Sequence, residues 1–261
     1  MSQMFGDHWD PSYYSKNSQM QYNTSIKIIE DIKCTAPNKI LDLGSGDGKI
    51  TYYLSKKYAL SQTIGLDISA KMTSYANRKY NSYKQLKFIQ MDMLDLNFVN
   101  EFDLIVSFWA FAWVQEHETI LKKIINALTP TGVMHLLVPL NSPTLEQTIF
   151  HTCADTKWNK YFVGMHFPNM ITHELYENII ARNNMVNIHL HKTKISYVFQ
   201  DHNELKGYLT AWIPLLQYIP ELEKDSFIEN LLTYYKNLLL LEKNNPLSVT
   251  FDCIIVTNVK M

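Results

Sequence analysis

The sequence predicts an α/β fold built on a mostly parallel, doubly wound sheet, and two observations carry that prediction. Between Lys39 and Leu140, short apolar runs alternate with segments of helical periodicity, the pattern of parallel strands joined by crossover helices. The first apolar run closes on "LDLGSGDG", a glycine-rich turn that opens a helix; in such sheets this turn lies at the carboxyl edge, where ligands bind.

The elements follow in order. Met20, Tyr22, Ile26, Ile29 and Ile32 recur near helical spacing, so one amphipathic helix is expected from Asn17 to Lys33, ending before Pro37. A strand over Lys39 to Leu43 comes next, then a helix from about Gly48 to Tyr58, the strand "TIGLDI", a helix from about Ala70 to Asn81 and the strand "LKFIQMD". "FDLIVSF" reads as a buried strand and His117 to Leu128 as a helix. The Thr129 to Gly132 segment reads as a turn before the strand "TGVMHLLVPL".

From 141 to 168 the alternation loosens into an irregular, partly helical insertion containing Pro143, Trp158, Tyr161, Phe162 and Pro168. A helix near Thr172 to Asn183 and a strand near Val186 to Phe199 restore it. Residues 202 to 243 read as helices broken at Pro214 and Pro220, before a last strand, "LSVTFDCIIVTNVK".

Composition narrows the function. With 46% hydrophobic, 13% aromatic and 19% charged residues, the 261-residue chain suits one large packed domain with enough aromatics to line an apolar cavity. A formal charge of −1 supplies no basic field for nucleic acid or anionic lipid. Cys34, Cys153 and Cys253 are odd in number and far apart, so they read as reduced structural thiols. The N-terminus lacks a signal-peptide pattern and no run is long enough to span a bilayer, so a cytoplasmic protein without membrane insertion is expected.

Missing side chains at Gly44, Gly46 and Gly48 let the backbone bend sharply and let a ligand touch it. Dinucleotide-binding dehydrogenases share such a turn, but their third glycine falls three positions after the second, whereas Gly46 and Gly48 are two apart. Asp67 ends the second strand, where its two oxygens can accept from both hydroxyls of a ribose. Asp42, just before the turn, would repel a pyrophosphate and suit a cationic amino acid moiety.

"LDLGSGDG", "GLDIS" and "MDM" together resemble the motifs of class I S-adenosylmethionine-dependent methyltransferases. The resemblance covers roughly residues 38 to 140 and implies a Rossmann-like sheet with an antiparallel last strand and a helical cap. It implies S-adenosyl-L-methionine as cofactor and S-adenosyl-L-homocysteine as product. Gly44, Ser45 and Gly46 would line the methionine side, with Asp42 and Ser107 beside it; Asp67 would hold the ribose, Ile68 pack on the adenine, and Asp92 with Met93 meet its amino group.

The implied organisation is a single methyltransferase domain over 1–261. Residues 1–36 form an N-terminal lid helix region, 37–140 the cofactor-binding core, 141–168 and 202–243 the cap, and 169–201 with 244–261 the rest of the sheet core.

For the acceptor, "WDPSYY" resembles the opening of trans-aconitate methyltransferases, while "YSKNSQMQY" and "SFWAFAWVQE" resemble juvenile hormone acid methyltransferases. Both groups esterify carboxylic acids, and the second implies that Gln21 and Trp113 position the substrate carboxylate while Tyr14 closes over the methionine moiety. Gln19, two residues earlier, is the alternative to Gln21 if the helix is misaligned, and Tyr14 is open to a core role. A carboxylic acid is already ionised at neutral pH, so no catalytic acid or base is required.

The cap contributes Trp158, Tyr161, Phe162, Trp212, Leu215, Leu216, Tyr218 and Phe227, and from 141 to 245 Arg182 is the one arginine; this favours a small or lipophilic carboxylic acid over a polyanion. Two other readings stay open: methylation of a nitrogen or phenolic oxygen on another small metabolite, and a non-catalytic regulatory partner that only binds the cofactor. His8, His117, His151, His166, His173, His189 and His191 lack a clear third ligand, so no metal is expected.

Overall fold

The computed structural model describes residues 7, 9–164, 171–185, 187–241 and 247–258. Among them, seven strands form one sheet: β1 (Lys39–Leu43), β2 (Gln62–Asp67), β3 (Leu86–Gln90), β4 (Phe102–Phe108), β5 (Leu128–Asn141), β6 (Ile188–Val198) and β7 (Ser248–Asn258). Their order is β3-β2-β1-β4-β5-β7-β6. β1 to β5 pair in parallel, while β7 runs antiparallel to both neighbours. The chain reverses sheet direction between β1 and β4, which opens a crevice at their carboxyl ends.

Side-chain alternation along the strands builds a core on each face. Ile40, Leu104 and Val106 pack with Ile29, Ile32 and Leu54. Leu41, Leu43 and Ile105 point the other way, onto Ile120, Leu121, Ile124, Tyr176 and Ile179. The helices that supply these residues are α2 (Gln19–Asp31), which Ile32 directly follows, α3 (Lys49–Lys57), α5 (His117–Ala127) and α7 (His173–Arg182); α1 (Pro11–Asn17) precedes them and α4 (Ala70–Lys79) follows β2.

A third apolar cluster joins α6 (Pro143–Ala154), α8 (His202–Trp212) and α9 (Glu221–Leu241) through Leu145, Leu205, Leu209, Phe227 and Leu231. Trp158 is fully buried there, its ring 5.3 Å from Phe227 and its indole N–H donating to Asn230 Oδ1 at 3.0 Å.

The structure refines three expectations. The helix expected over 17–33 is α2, Gln19–Asp31, and a further helix, α1, precedes it, the two separated at Ser18. Asp10 caps α1 by accepting from the Ser12 and Tyr13 amides, and the Lys49 ammonium takes the Ser15 carbonyl, which a continuous helix would have used. Thr129 to Gly132 is not a free turn but the start of β5, where the register against β4 shifts between Phe102 and Leu104. The insertion from 141 contains a regular twelve-residue helix, α6, started by Pro143 and by Glu146 accepting from the Ser142 amide.

Candidate active site

The β1–α3 turn is held from below by one carbonyl: the amides of Gly44 and Ser45 both donate to Leu66 O at 2.8 Å. Gly44, Gly46 and Gly48 all have positive φ, but they serve different ends. Gly44 and Gly46 line a cavity of about 320 Å³, whereas Gly48 faces Phe88, whose Cζ lies 2.6 Å from where a Cβ would stand. A Cβ on Gly44 would meet Ala110 Cβ at 2.2 Å, so the turn and the segment after β4 touch only because that side chain is missing.

Asp67 ties the turn to the next crossover. Its Oδ2 accepts from the Gly46 amide at 2.8 Å and its Oδ1 from the Ser69 amide at 2.9 Å. Burial raises its pKa despite these two bonds. Ser69 caps α4 and donates to Asp7 Oδ1 at 2.6 Å, which fastens the N-terminal segment beside the same cavity wall. At the end of β3, Asp92 Oδ1 accepts from the Leu94 amide at 2.9 Å and shapes a short helical turn.

Asp67, Ile68, Asp92 and Met93 all line the cavity, as do Tyr14, Gln21 and Trp113. Tyr14 Cε1 lies 3.7 Å from the Cβ position of Gly46, and its ring packs edge-on against Trp9. Burial pushes its phenol pKa far up, so it stays neutral. Gln21 rather than Gln19 faces inward: Gln19 is exposed and donates to Asn23 Oδ1, whereas Gln21 Oε1 is buried with no hydrogen-bond partner.

Asp42, Ser45 and Ser107, expected as cofactor contacts, are not among the residues that line the cavity. Asp42 lies beneath the turn and accepts from the Thr51 hydroxyl at 2.7 Å. Ser107 donates to Leu43 O at 2.7 Å, bracing β1 against β4. Of the eight apolar cap residues expected around the acceptor, only Trp212 lines the cavity; the others, Trp158 and Phe227 among them, lie outside its wall.

Sequence reasoning missed several wall residues. Trp9, Trp109, Tyr208, Asn141 and Phe251 line the cavity, and Trp109 holds a left-handed φ of 65° immediately after β4. An aromatic chain runs along the cavity wall: Trp9 to Trp113 at 5.8 Å, Trp113 to Trp212 at 6.2 Å and Trp212 to Tyr208 at 5.8 Å. The run "SFWAFAW" signals indoles at this edge, but not which of them face inward. Among the described residues no histidine, cysteine and carboxylate cluster could hold a metal; His8 and His166 lie outside those residues.

A glycine turn with exposed backbone, a carboxylate at the end of β2 and apolar walls at the ends of β2 and β3 fit an adenosine with an amino acid tail. Sheet order and cavity together define the class I methyltransferase fold. Residues 40–132 match the methyltransferase domain family model.

The chain is 26% identical to methyltransferase 235L of Invertebrate iridescent virus 6 over 230 residues, covering 87% of this chain and 85% of that one. It is 26% identical to juvenile hormone acid O-methyltransferase of Bombyx mori over 249 residues, 89% of this chain and 88% of the other. A trans-aconitate 2-methyltransferase of Acidovorax ebreus (strain TPSY) is 29% identical over 133 residues, about half of each chain (51% and 50%). Among solved structures, phosphoethanolamine N-methyltransferase 2 of Haemonchus contortus, in complex with S-adenosylhomocysteine, shares the fold with a TM-score of 0.57 at 16% identity, over 92% of this chain and 52% of the other. The chain is an S-adenosylmethionine-dependent methyltransferase.

Proposed function

We propose that the chain esterifies a lipophilic carboxylic acid, moving the cofactor's methyl group onto a carboxylate oxygen. The observation that carries this reading is the wall away from Asp67: Trp113, Trp212, Tyr208, Phe251, Leu145 and Ile149 line it, and among the described residues no lysine, arginine or histidine faces the cavity. A polycarboxylate would leave several charges unpaired there, whereas one carboxylate can be held by neutral donors. Two relatives named for carboxylic acids support the acceptor chemistry.

In this reading Gly44 and Gly46 take the methionine end along their backbone, Asp67 accepts from the ribose hydroxyls, and Ile68, Asp92 and Met93 frame the adenine. Asp42 and Ser107 keep the turn in place from behind. When bound, S-adenosylmethionine supplies an electrophilic methyl group on a positively charged sulfur. Gln21 and Trp113 orient the acceptor carboxylate, and Tyr14 with the aromatic chain excludes water. The acid is ionised at neutral pH, so alignment replaces proton transfer as the protein's task.

Purified protein is tested by release of S-adenosylhomocysteine against fatty, terpenoid and polycarboxylic acids, amines and phenols. Turnover confined to the apolar monoacids is the expected result. Turnover of amines alone would overturn the reading and favour a cationic acceptor held by Glu146, the carboxylate that α6 brings to the wall. Cofactor binding without turnover of any acceptor would instead fit a non-catalytic partner.

A further inference from the structure

We propose that Trp109 and Trp212 anchor the acceptor's carboxylate through their indole N–H groups, an inference that rests on the ester-forming reading above. Among the described residues, four buried polar atoms without a hydrogen-bond partner belong to side chains of this one cavity: Gln21 Oε1, Trp109 Nε1, Asn141 Oδ1 and Trp212 Nε1. A buried donor left unpaired destabilises the fold, so such a concentration marks where a ligand supplies the missing partner. An indole N–H can only donate, so what meets these two is an acceptor atom. The two neutral amides can turn their NH2 groups toward the same oxygens.

Trp109 carries a second, independent sign. A bulky residue at a φ of 65° is strained, and this one directly follows β4 and precedes Ala110, the residue that touches the glycine turn. Phe251 of β7 supports its ring edge-on at 5.3 Å. Trp212 ends α8 with its ring between Trp113 and Tyr208, and its N–H leans toward the Tyr208 phenol without reaching hydrogen-bond geometry.

A carboxylate at this place has two sources, the acceptor and the methionine end of the cofactor. Placement favours the acceptor for Trp212, which belongs to α8, its ring between Trp113 and Tyr208. Trp109 stands next to Ala110, which touches the glycine turn; for Trp109 the affinity for S-adenosylhomocysteine separates the two sources.

The test compares dodecanoic acid and the best acid of the panel with dodecan-1-ol, which matches the chain but lacks the charge. Trp109→Phe and Trp212→Phe are measured beside variants carrying 3-benzothienylalanine at each position, which keep the bicyclic shape without the N–H and serve if a phenylalanine variant fails to fold. Each change is expected to raise KM for the acid about tenfold or more. Inhibition by the alcohol and calorimetric affinity for S-adenosylhomocysteine should stay within about twofold, the spread of an untouched contact.

Equal weakening of acid and alcohol would reduce both residues to packing. Loss of S-adenosylhomocysteine affinity with acid preference retained would give the N–H groups to the cofactor, and no change at all would leave them to water; each overturns the proposal. Failure of the unaltered protein to methylate any acid would overturn the ester-forming reading and this proposal with it. Robust turnover that the variants leave intact sinks this proposal alone.

Discussion

Asp67 Oδ2 accepts a hydrogen bond from the Gly46 amide at 2.8 Å, so the carboxylate that ends β2 also fixes the turn that follows β1. Its other oxygen holds the Ser69 amide, each oxygen keeps further acceptor capacity, and Asp67 lines the cavity. Asp67→Ala is therefore expected to cost more than ribose contacts. Calorimetry should show cofactor affinity reduced at least about tenfold, since hydrogen bonds to a charged group are the stronger kind. Asp67→Asn, which can still accept from one amide, should fall between; unchanged affinity in the alanine variant would remove the role.

The pH dependence of stability should centre on Asp42. Burial raises its pKa from 3.8 to about 7, the Thr51 hydroxyl opposes that rise, and the charge of Asp67 adds to it. The folded state thus binds this proton more tightly than the unfolded chain does. Its stabilising contribution is complete below about pH 4 and is lost as pH climbs toward 7. Thermal midpoints of the ligand-free protein are expected to fall between about pH 4 and 7 more steeply than those of Asp42→Asn, whose amide oxygen still accepts from Thr51. Parallel pH curves for the two would count against the assignment.

Gly46 and Gly48 separate ligand contact from packing. Gly48→Ala places a Cβ 2.6 Å from Phe88 Cζ at a φ of 82°, and should destabilise the fold by about 2 kcal/mol or more in urea unfolding. At Gly46 the nearest atom is 3.7 Å away, so its alanine variant meets backbone strain alone. That variant should fold and lose cofactor affinity more than stability.

Trp113→Ala removes the middle of the aromatic chain, whose neighbours lie at 5.8 Å and 6.2 Å. Methyl transfer is expected to drop at least about tenfold while cofactor affinity holds, the pattern of a lost positioning contact. Full activity would return Trp113 to a packing role.

Much of this architecture is legible before any coordinates. Strands such as "FDLIVSF" are buried on both faces, so burial leaves a continuous local apolar run, and β4 spans Phe102–Phe108 as its sequence predicts. The break at Ser18 was not legible, because its cause is Lys49, distant in sequence, taking the Ser15 carbonyl. The same holds for Thr129 to Gly132, which look like a turn alone but form a bulge inside β5, between the pairing of Leu128 with Phe102 and of Val133 with Leu104.

The sequence by itself determined the sheet, the glycine turn and the carboxylates at its strand ends, since each is a local signal: a backbone that must bend, or a charge at a fixed register. Tertiary structure alone decided which side chains reach the cavity. Gly48 turns to Phe88, Ser107 to Leu43, and Trp158 into the packing of α9, while Trp109, Asn141 and Trp212 converge from β4, β5 and α8. Indoles in a sequence all read as equally apolar; only the packing of distant elements sets which one buries its N–H in its neighbours and which keeps it for a ligand.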